Sequence, residues 1–314
     1  MGKDTEVKFK TSIGGQALIE GIMMKGPDKQ AISVRNGDEI VTKVEDIKPL
    51  KDKNPLLGIP IIRGVGVFIS SMVTGMKAIT YSAEFLPEEE QEEPSKLDKW
   101  IEDHFSDEKA EELIITIAVV LGIGLSVGLF FILPTVIAGL FTGVVKNNVV
   151  RNLIESIIRI TIFVVYLKLV SGMKEISRMW QYHGAEHKTI FCYEKGLELT
   201  VENVRKQPRL HPRCGTSFLL ITMVVSIVVF AFASWKNVFV RIVLRLLLLP
   251  LVVGISYEIL RFAGRYDNTL TRIISAPGKA LQRLTTAEPD DSMMEVAIAA
   301  MKAVIPEEKG KDIW

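Results

Sequence analysis

The sequence predicts a mainly α-helical membrane protein: about four transmembrane helices in two hairpins, with a small cytoplasmic α+β N-terminal unit containing a β-hairpin. Three observations carry this. Of 314 residues, 48% are hydrophobic; a large soluble domain would tolerate that fraction, but here the apolar residues fall in long charge-free runs. Leu113 to Leu133 is one such run, about the 20 residues a helix needs to cross the hydrocarbon layer. Lysine and arginine gather between Ser171 and Gly215 and again after the last apolar run, the mark of cytoplasmic segments.

The elements follow in order. Residues 1–87 form the N-terminal cytoplasmic or interfacial unit. Its polar start is followed by no signal-peptide run, so a mature cytoplasmic N-terminus is expected. The glycines of Gly14-Gly-Gln-Ala-Leu-Ile-Glu-Gly-Ile-Met-Met-Lys-Gly-Pro suggest turns or close backbone approach. Ala31–Arg35 and Glu39–Val44 flank Asn36-Gly37, the strongest short hairpin signal. Leu56 to Met76 is apolar but broken by Arg63 and glycines, and reads as interfacial or packed on the bundle, with a full span as the lesser alternative.

Residues 88–111 read as an acidic linker and amphipathic helix. Residues 112–173 form the first transmembrane hairpin, with spans at Leu113–Leu133 and Leu153–Val170. Glu155 and Arg159 stand four apart and can pair on one helical face. The apolar stretch after Pro134, to Val145, is too short for another span and is read as kinking onward or re-entrant. Residues 174–216 are the cytoplasmic His/Cys loop. Residues 217–260 form the second hairpin, with spans at Phe218–Trp235 and Val238–Tyr257. Arg245 is too deep to face lipid and is placed against helices. Residues 261–314 are a cytoplasmic C-terminal segment, in which Met293–Ile305 reads as an amphipathic helix packed peripherally. The expected location is a cell (inner or plasma) membrane, multi-pass, with both termini cytoplasmic.

Only four histidines occur, and three of them, His183, His187 and His211, lie in the central loop. In Tyr182-His-Gly-Ala-Glu-His-Lys, His183 and His187 are one helical turn apart, so their imidazoles project from one face within reach of a single ion. Glu186 shares that face. The order His-x-x-Glu-His is that of inverzincins, where two histidines bind zinc and the glutamate is the general base. A further ligand is sought in His211-Pro-Arg-Cys214-Gly. Ser or Thr just beyond would cap a helix, whose positive end favours the thiolate that metals prefer. Cys214 or His211 completes the set, while Cys192 falls on the opposite helical face. Two cysteines in a reducing compartment argue against a structural disulfide. Glu258 is a further candidate ligand or base, and Glu20, Arg63 and Gln16 are candidate lining residues for which structural roles weigh more. A divalent metal, zinc first, is therefore the expected cofactor.

The blocks Gly14–Pro27, Tyr182-His-Gly-Ala-Glu-His-Lys, His211-Pro-Arg-Cys-Gly-Thr-Ser-Phe, Gly254-Ile-Ser-Tyr-Glu and Pro277-Gly-Lys-Ala-Leu-Gln-Arg-Leu-Thr-Thr-Ala-Glu-Pro resemble those of the bacterial YqhQ-like integral membrane family. The resemblance covers nearly the whole chain. It implies a domain of unknown function whose members are described as predicted metal-dependent enzymes, a description resting on the same histidines and so not independent of them.

Two function classes remain. One is a metal-dependent enzyme, a hydrolase at the cytoplasmic membrane face, with Glu186 moving the proton. The other is a non-catalytic membrane scaffold, transport component or partner of membrane machinery, its His/Cys cluster structural. Membrane lipids are the expected partners, with self-association or a membrane-protein partner left open. A net charge of +1 and the lack of a recognised module speak against nucleic acid.

Overall fold

The structure, a computed structural model, describes residues 7–86, 101, 104, 107–141, 145, 147–231, 238–266 and 268–313. The chain divides into two compact units. One comprises Met1–Leu86, Leu167–Ser226 and Leu249–Trp314; the other comprises Pro87–Tyr166 and Ile227–Leu248. Most of the expected acidic linker lies outside the described residues.

The first unit opens with an antiparallel four-stranded meander: β1 (Gly14–Leu18), β2 (Gly21–Lys25), β3 (Lys29–Asn36) and β4 (Glu39–Asp46). The expected hairpin is β3–β4, with a shifted turn. Asn36 pairs with Glu39, which leaves Gly37-Asp38 as the loop, and Gly37 alone takes a positive φ of 59°. That is the pattern of a type II′ turn, which needs glycine first, instead of the type I′ turn that Asn-Gly suggests. The glycine-rich segment before it forms a second hairpin, β1–β2.

Strand alternation explains how this short sheet is covered on both sides. Ile22, Met24 and Ala31 join one buried cluster, while Leu18, Met23, Ile32 and Val34 join another around Ala78. The second cluster is closed by the end of α1 (Ile62–Ala83). The first is closed by α5 (Lys174–Glu194) and α10 (Asp291–Val304). Here the peripheral role expected for the C-terminal helix is corrected: Met293, Met294, Val296, Ala297, Ala300 and Met301 are all essentially inaccessible. Its charged residues mimic a surface helix in sequence, but α10 packs on both β2–β3 and α5 and so forms the centre of the core. Asp290 caps it by accepting from the Met293 amide at 3.0 Å.

The other helices of five residues or more are α2 (Asp107–Val127), α3 (Leu133–Leu140), α4 (Asn148–Val170), α6 (Val201–Arg205), α7 (Gly215–Ala231), α8 (Val238–Arg265) and α9 (Thr269–Thr285), with a π turn at Gly128–Ile132 and single helical turns at Leu50–Lys53 and Pro55–Gly58. Among the described residues, three helices are long and apolar enough to cross a membrane: Ile62–Ala83, Leu113–Leu140 and Phe239–Arg265. The second and third contain two of the four expected spans. The stretch after Pro134 continues the helix, because a proline is tolerated in the first turn of α3, directly after the π turn. The other two expected spans do not reach that standard. α4 carries Glu155 and Arg159, both buried, and α7 has 17 described residues. Ile62–Ala83 presents Ile62, Ile69, Met72, Val73 and Met76 to the outside as one apolar stripe, so the chain is membrane-associated through apolar helices.

Candidate metal centre

The site is built on α5, whose polar sequence is buried all round: every residue from Tyr182 to Ile190 is buried. Burial of that kind demands a partner for each polar group. Thr189 donates to the Ala185 carbonyl at 2.8 Å. Lys188 reaches the Arg205 carbonyl at 3.1 Å and the Glu288 carboxylate at 2.8 Å. Glu186 Oε1 accepts from the Gly15 amide at 3.0 Å, an approach open only to glycine, because a Cβ at Gly15 would lie 2.7 Å from the Met23 carbonyl.

The two histidines are handled alike. His183 Nδ1 meets the Thr285 carbonyl at 2.7 Å, and His187 Nδ1 meets the Arg209 carbonyl. A carbonyl only accepts, so both rings are protonated on Nδ1 and present Nε2 as a lone pair. His183 Nε2 lies 3.1 Å from Cys214 Sγ. His187 Nε2 is buried and has no hydrogen-bond partner. The ligand atoms of His183, His187 and Cys214 lie within 4.8 Å of one another, and all three residues are buried. Carbonyl-anchored imidazoles with a converging thiol are the arrangement that metal sites use to fix tautomer and ring orientation. The orphaned Nε2 and a donor set of two imidazole nitrogens and one thiol sulfur fit a borderline-soft divalent ion such as zinc.

Cys214 is placed by two devices. It precedes α7, and its sulfur accepts from the Thr216 amide at 3.4 Å, so the cysteine itself is the cap expected of Ser or Thr. Upstream, the backbone of His211 is gripped by the fully buried Gln282, whose Oε1 accepts from the His211 amide at 2.8 Å and whose Nε2 donates to the His211 carbonyl at 2.7 Å. The opposite wall is the extended segment after α9. Gly184 lets it run against α5: a Cβ there would sit 2.1 Å from the Ala287 carbonyl.

Residues 59–307 match the family described as "Protein of unknown function (DUF1385)". The chain belongs to the DUF1385 family. A relative from Bacillus subtilis (strain 168), "Uncharacterized protein YqhQ", is 33% identical over 303 residues, covering 95% of this chain and 93% of that one. No solved structure matches. The DUF1385 match contains all three candidate ligands and Gln282, while the sheet that meets Glu186 precedes it.

The remaining sequence candidates divide. Glu186 stays beside His183, and burial pushes its carboxyl above the usual range, opposed by His183 and the Gly15 amide. His211 is outside the ligand triangle. Its ring centroid is 5.6 Å from that of His187, and it stands 3.6 Å from Glu194. Burial first, then Arg213, holds its pKa far below the ordinary value, so this contact joins a neutral imidazole to a carboxylate and is not an ion pair. Glu258 is engaged by Arg63 through a two-pronged ion pair. Glu20 is clamped by Arg178 and by the Tyr182 hydroxyl. Gln16 packs against Gly75. Cys192 lies apart, with its sulfur on the Glu198 carbonyl. Sequence reasoning missed Gln282 and the carbonyls of Thr285 and Arg209; the block Pro277–Pro289 was the available signal for the first two.

Proposed function

We propose that this DUF1385 protein is a membrane-associated metalloprotein in which His183 Nε2, His187 Nε2 and Cys214 Sγ hold a zinc ion, leaving one coordination position for water or substrate. The unpartnered, buried His187 Nε2 is the observation that carries this. Three protein ligands with an open fourth position is the pattern of catalytic, as opposed to structural, zinc sites. Bound there, a divalent metal would polarise a substrate carbonyl or phosphoryl oxygen and acidify a water.

The chain's own residues supply the rest of a hydrolytic mechanism. Thr285 and Arg209 carbonyls hold both imidazoles in one tautomer. Glu186, fixed through Oε1 by the Gly15 amide, keeps its second carboxylate oxygen to accept and return a proton. Burial of the cluster excludes bulk water. The reaction class is hydrolysis of a membrane-proximal substrate. On the same reading the His/Cys loop and both termini face the cytoplasm, Leu113–Leu140 and Phe239–Arg265 cross the bilayer, and Ile62–Ala83 lies in its surface through its apolar stripe.

Elemental analysis of the detergent-purified chain beside a His183→Ala, His187→Ala double variant tests this, with monodispersity of both confirmed. Near-stoichiometric metal in the wild type alone is expected. Well-folded wild type that takes up no metal on reconstitution sinks the reading. Glu186→Gln separates catalysis from structure: metal retained with activity lost is expected of the enzyme.

A further inference from the structure

We infer that the second unit contains a binding site for a phosphate-class anion, a lipid headgroup or free phosphate, formed by Arg241 and Arg245 on α8 beside Arg159 on α4.

The inference starts from charge. Arg159, Arg241, Arg245 and Glu155 are all at least nine-tenths buried, at 5%, 4%, 3% and 2% exposure. Guanidinium does not lose its proton in proteins, so Arg241 and Arg245 bring two positive charges to a carboxylate that Arg159 already engages.

Hydrogen bonding shows where the deficit lies. Glu155 Oε1 is already saturated: it accepts from Arg159 at 3.2 Å, from the Thr135 hydroxyl at 2.8 Å and from Arg245. Arg159 also donates through Nε to the Phe130 carbonyl at 3.0 Å, the acceptor that Pro134, four residues on, cannot use. Arg159 is thereby a structural plug for the helix at its π turn. Arg245 adds Thr135 at 3.0 Å and the Asn152 amide oxygen at 3.5 Å, yet its Nε has no partner. Arg241 makes no hydrogen bond among the described residues, and its Nε is buried and unpartnered. It stands one helical turn before Arg245, with the like charge of Arg151 also acting on it.

Burying an ionised group without a counter-ion is among the costliest arrangements a protein can hold, and more so at membrane depth. Chains retain such groups where a ligand supplies the missing charge. Guanidinium forks match phosphate oxygens in geometry as well as sign. Arg241 lies in the first turn of α8, and Asn152, which meets Arg245, in the second turn of α4, so the unbonded Arg241 lies near a helix end, within reach of a headgroup or an aqueous anion. The inference stands on the second unit alone and is independent of the metal reading.

The test uses the full chain, delipidated in detergent, with thermal midpoint as readout. Phosphatidylglycerol in mixed micelles is expected to raise the wild-type midpoint by several degrees, and phosphatidylcholine is not. An Arg241→Gln variant is expected to match or exceed the wild type in phosphatidylcholine, because an uncompensated charge has gone, and to lose the phosphatidylglycerol increment. Arg241→Lys, which keeps charge but not the fork, should retain part of it. If inorganic phosphate, at the ionic strength of a chloride control, reproduces the increment, the ligand is a free phosphate; if only the anionic lipid does, it is a headgroup. Three results overturn the inference: equal increments in wild type and Arg241→Gln, no increment from either probe, or an Arg241→Gln midpoint below that of wild type in phosphatidylcholine, which would show that Arg241 is already paired.

Discussion

Replacing Gly184 by alanine places a methyl group 2.1 Å from the Ala287 carbonyl, where 3.0 Å is the practical limit. The extended segment must then retreat by at least 0.9 Å, the difference between those distances. Two hydrogen bonds bind it to α5: the Ala287 amide to the Trp180 carbonyl at 2.8 Å, and His183 Nδ1 to the Thr285 carbonyl at 2.7 Å. Losing their alignment costs about 1 kcal/mol each, and overpacking adds about 1–3 kcal/mol. The total is about 3–5 kcal/mol, or roughly 5–15 °C in a chain of this size. Because the displaced segment also carries the Thr285 carbonyl that orients His183, metal affinity should fall about 10- to 100-fold. Thermal unfolding and competitive chelation measure the two effects. Gly124→Ala is the control, since nothing lies within 4 Å of its added Cβ. A Gly184→Ala protein with wild-type midpoint and wild-type metal affinity would refute the argument that this glycine exists for close approach.

Three further outcomes follow from the same geometry. Gln282→Leu preserves volume but strips the partners from the buried His211 amide and carbonyl; a loss of about 2–5 kcal/mol with reduced metal content is expected, and unchanged metal content at unchanged stability would remove Gln282 from the site's support. Chelation should expose Cys214 to alkylation while Cys192, whose thiol burial pushes up to about 11, stays inert; peptide mapping that finds Cys192 modified first contradicts the assignment. Glu258→Gln should leave metal content unchanged, since Glu258 is committed to Arg63, and metal loss from a folded variant would restore Glu258 as a ligand.

The sequence by itself determined the periodic and local features. The His183–Glu186–His187 turn lies on one helix because helical spacing alone puts such residues on one face. The β3–β4 hairpin is legible because alternation and a glycine turn are short-range signals. The long apolar helices are legible because length and missing charge need no tertiary partner.

Tertiary structure decided what depends on elements distant in the chain. Which residue joins the two histidines could not be read from spacing; Cys214 approaches and His211 is held away because Gln282, some seventy residues on, fixes the intervening backbone. Glu258 reads as a candidate ligand in the sequence, whereas in the fold its carboxylate is paired with Arg63. The C-terminal helix looked peripheral because charged residues share its sequence, yet one sheet and one helix bury its methionines. The orphaned His187 Nε2 exists only as a property of the packed site. A polar atom is unpartnered by virtue of what surrounds it, and surroundings are what a linear sequence does not contain.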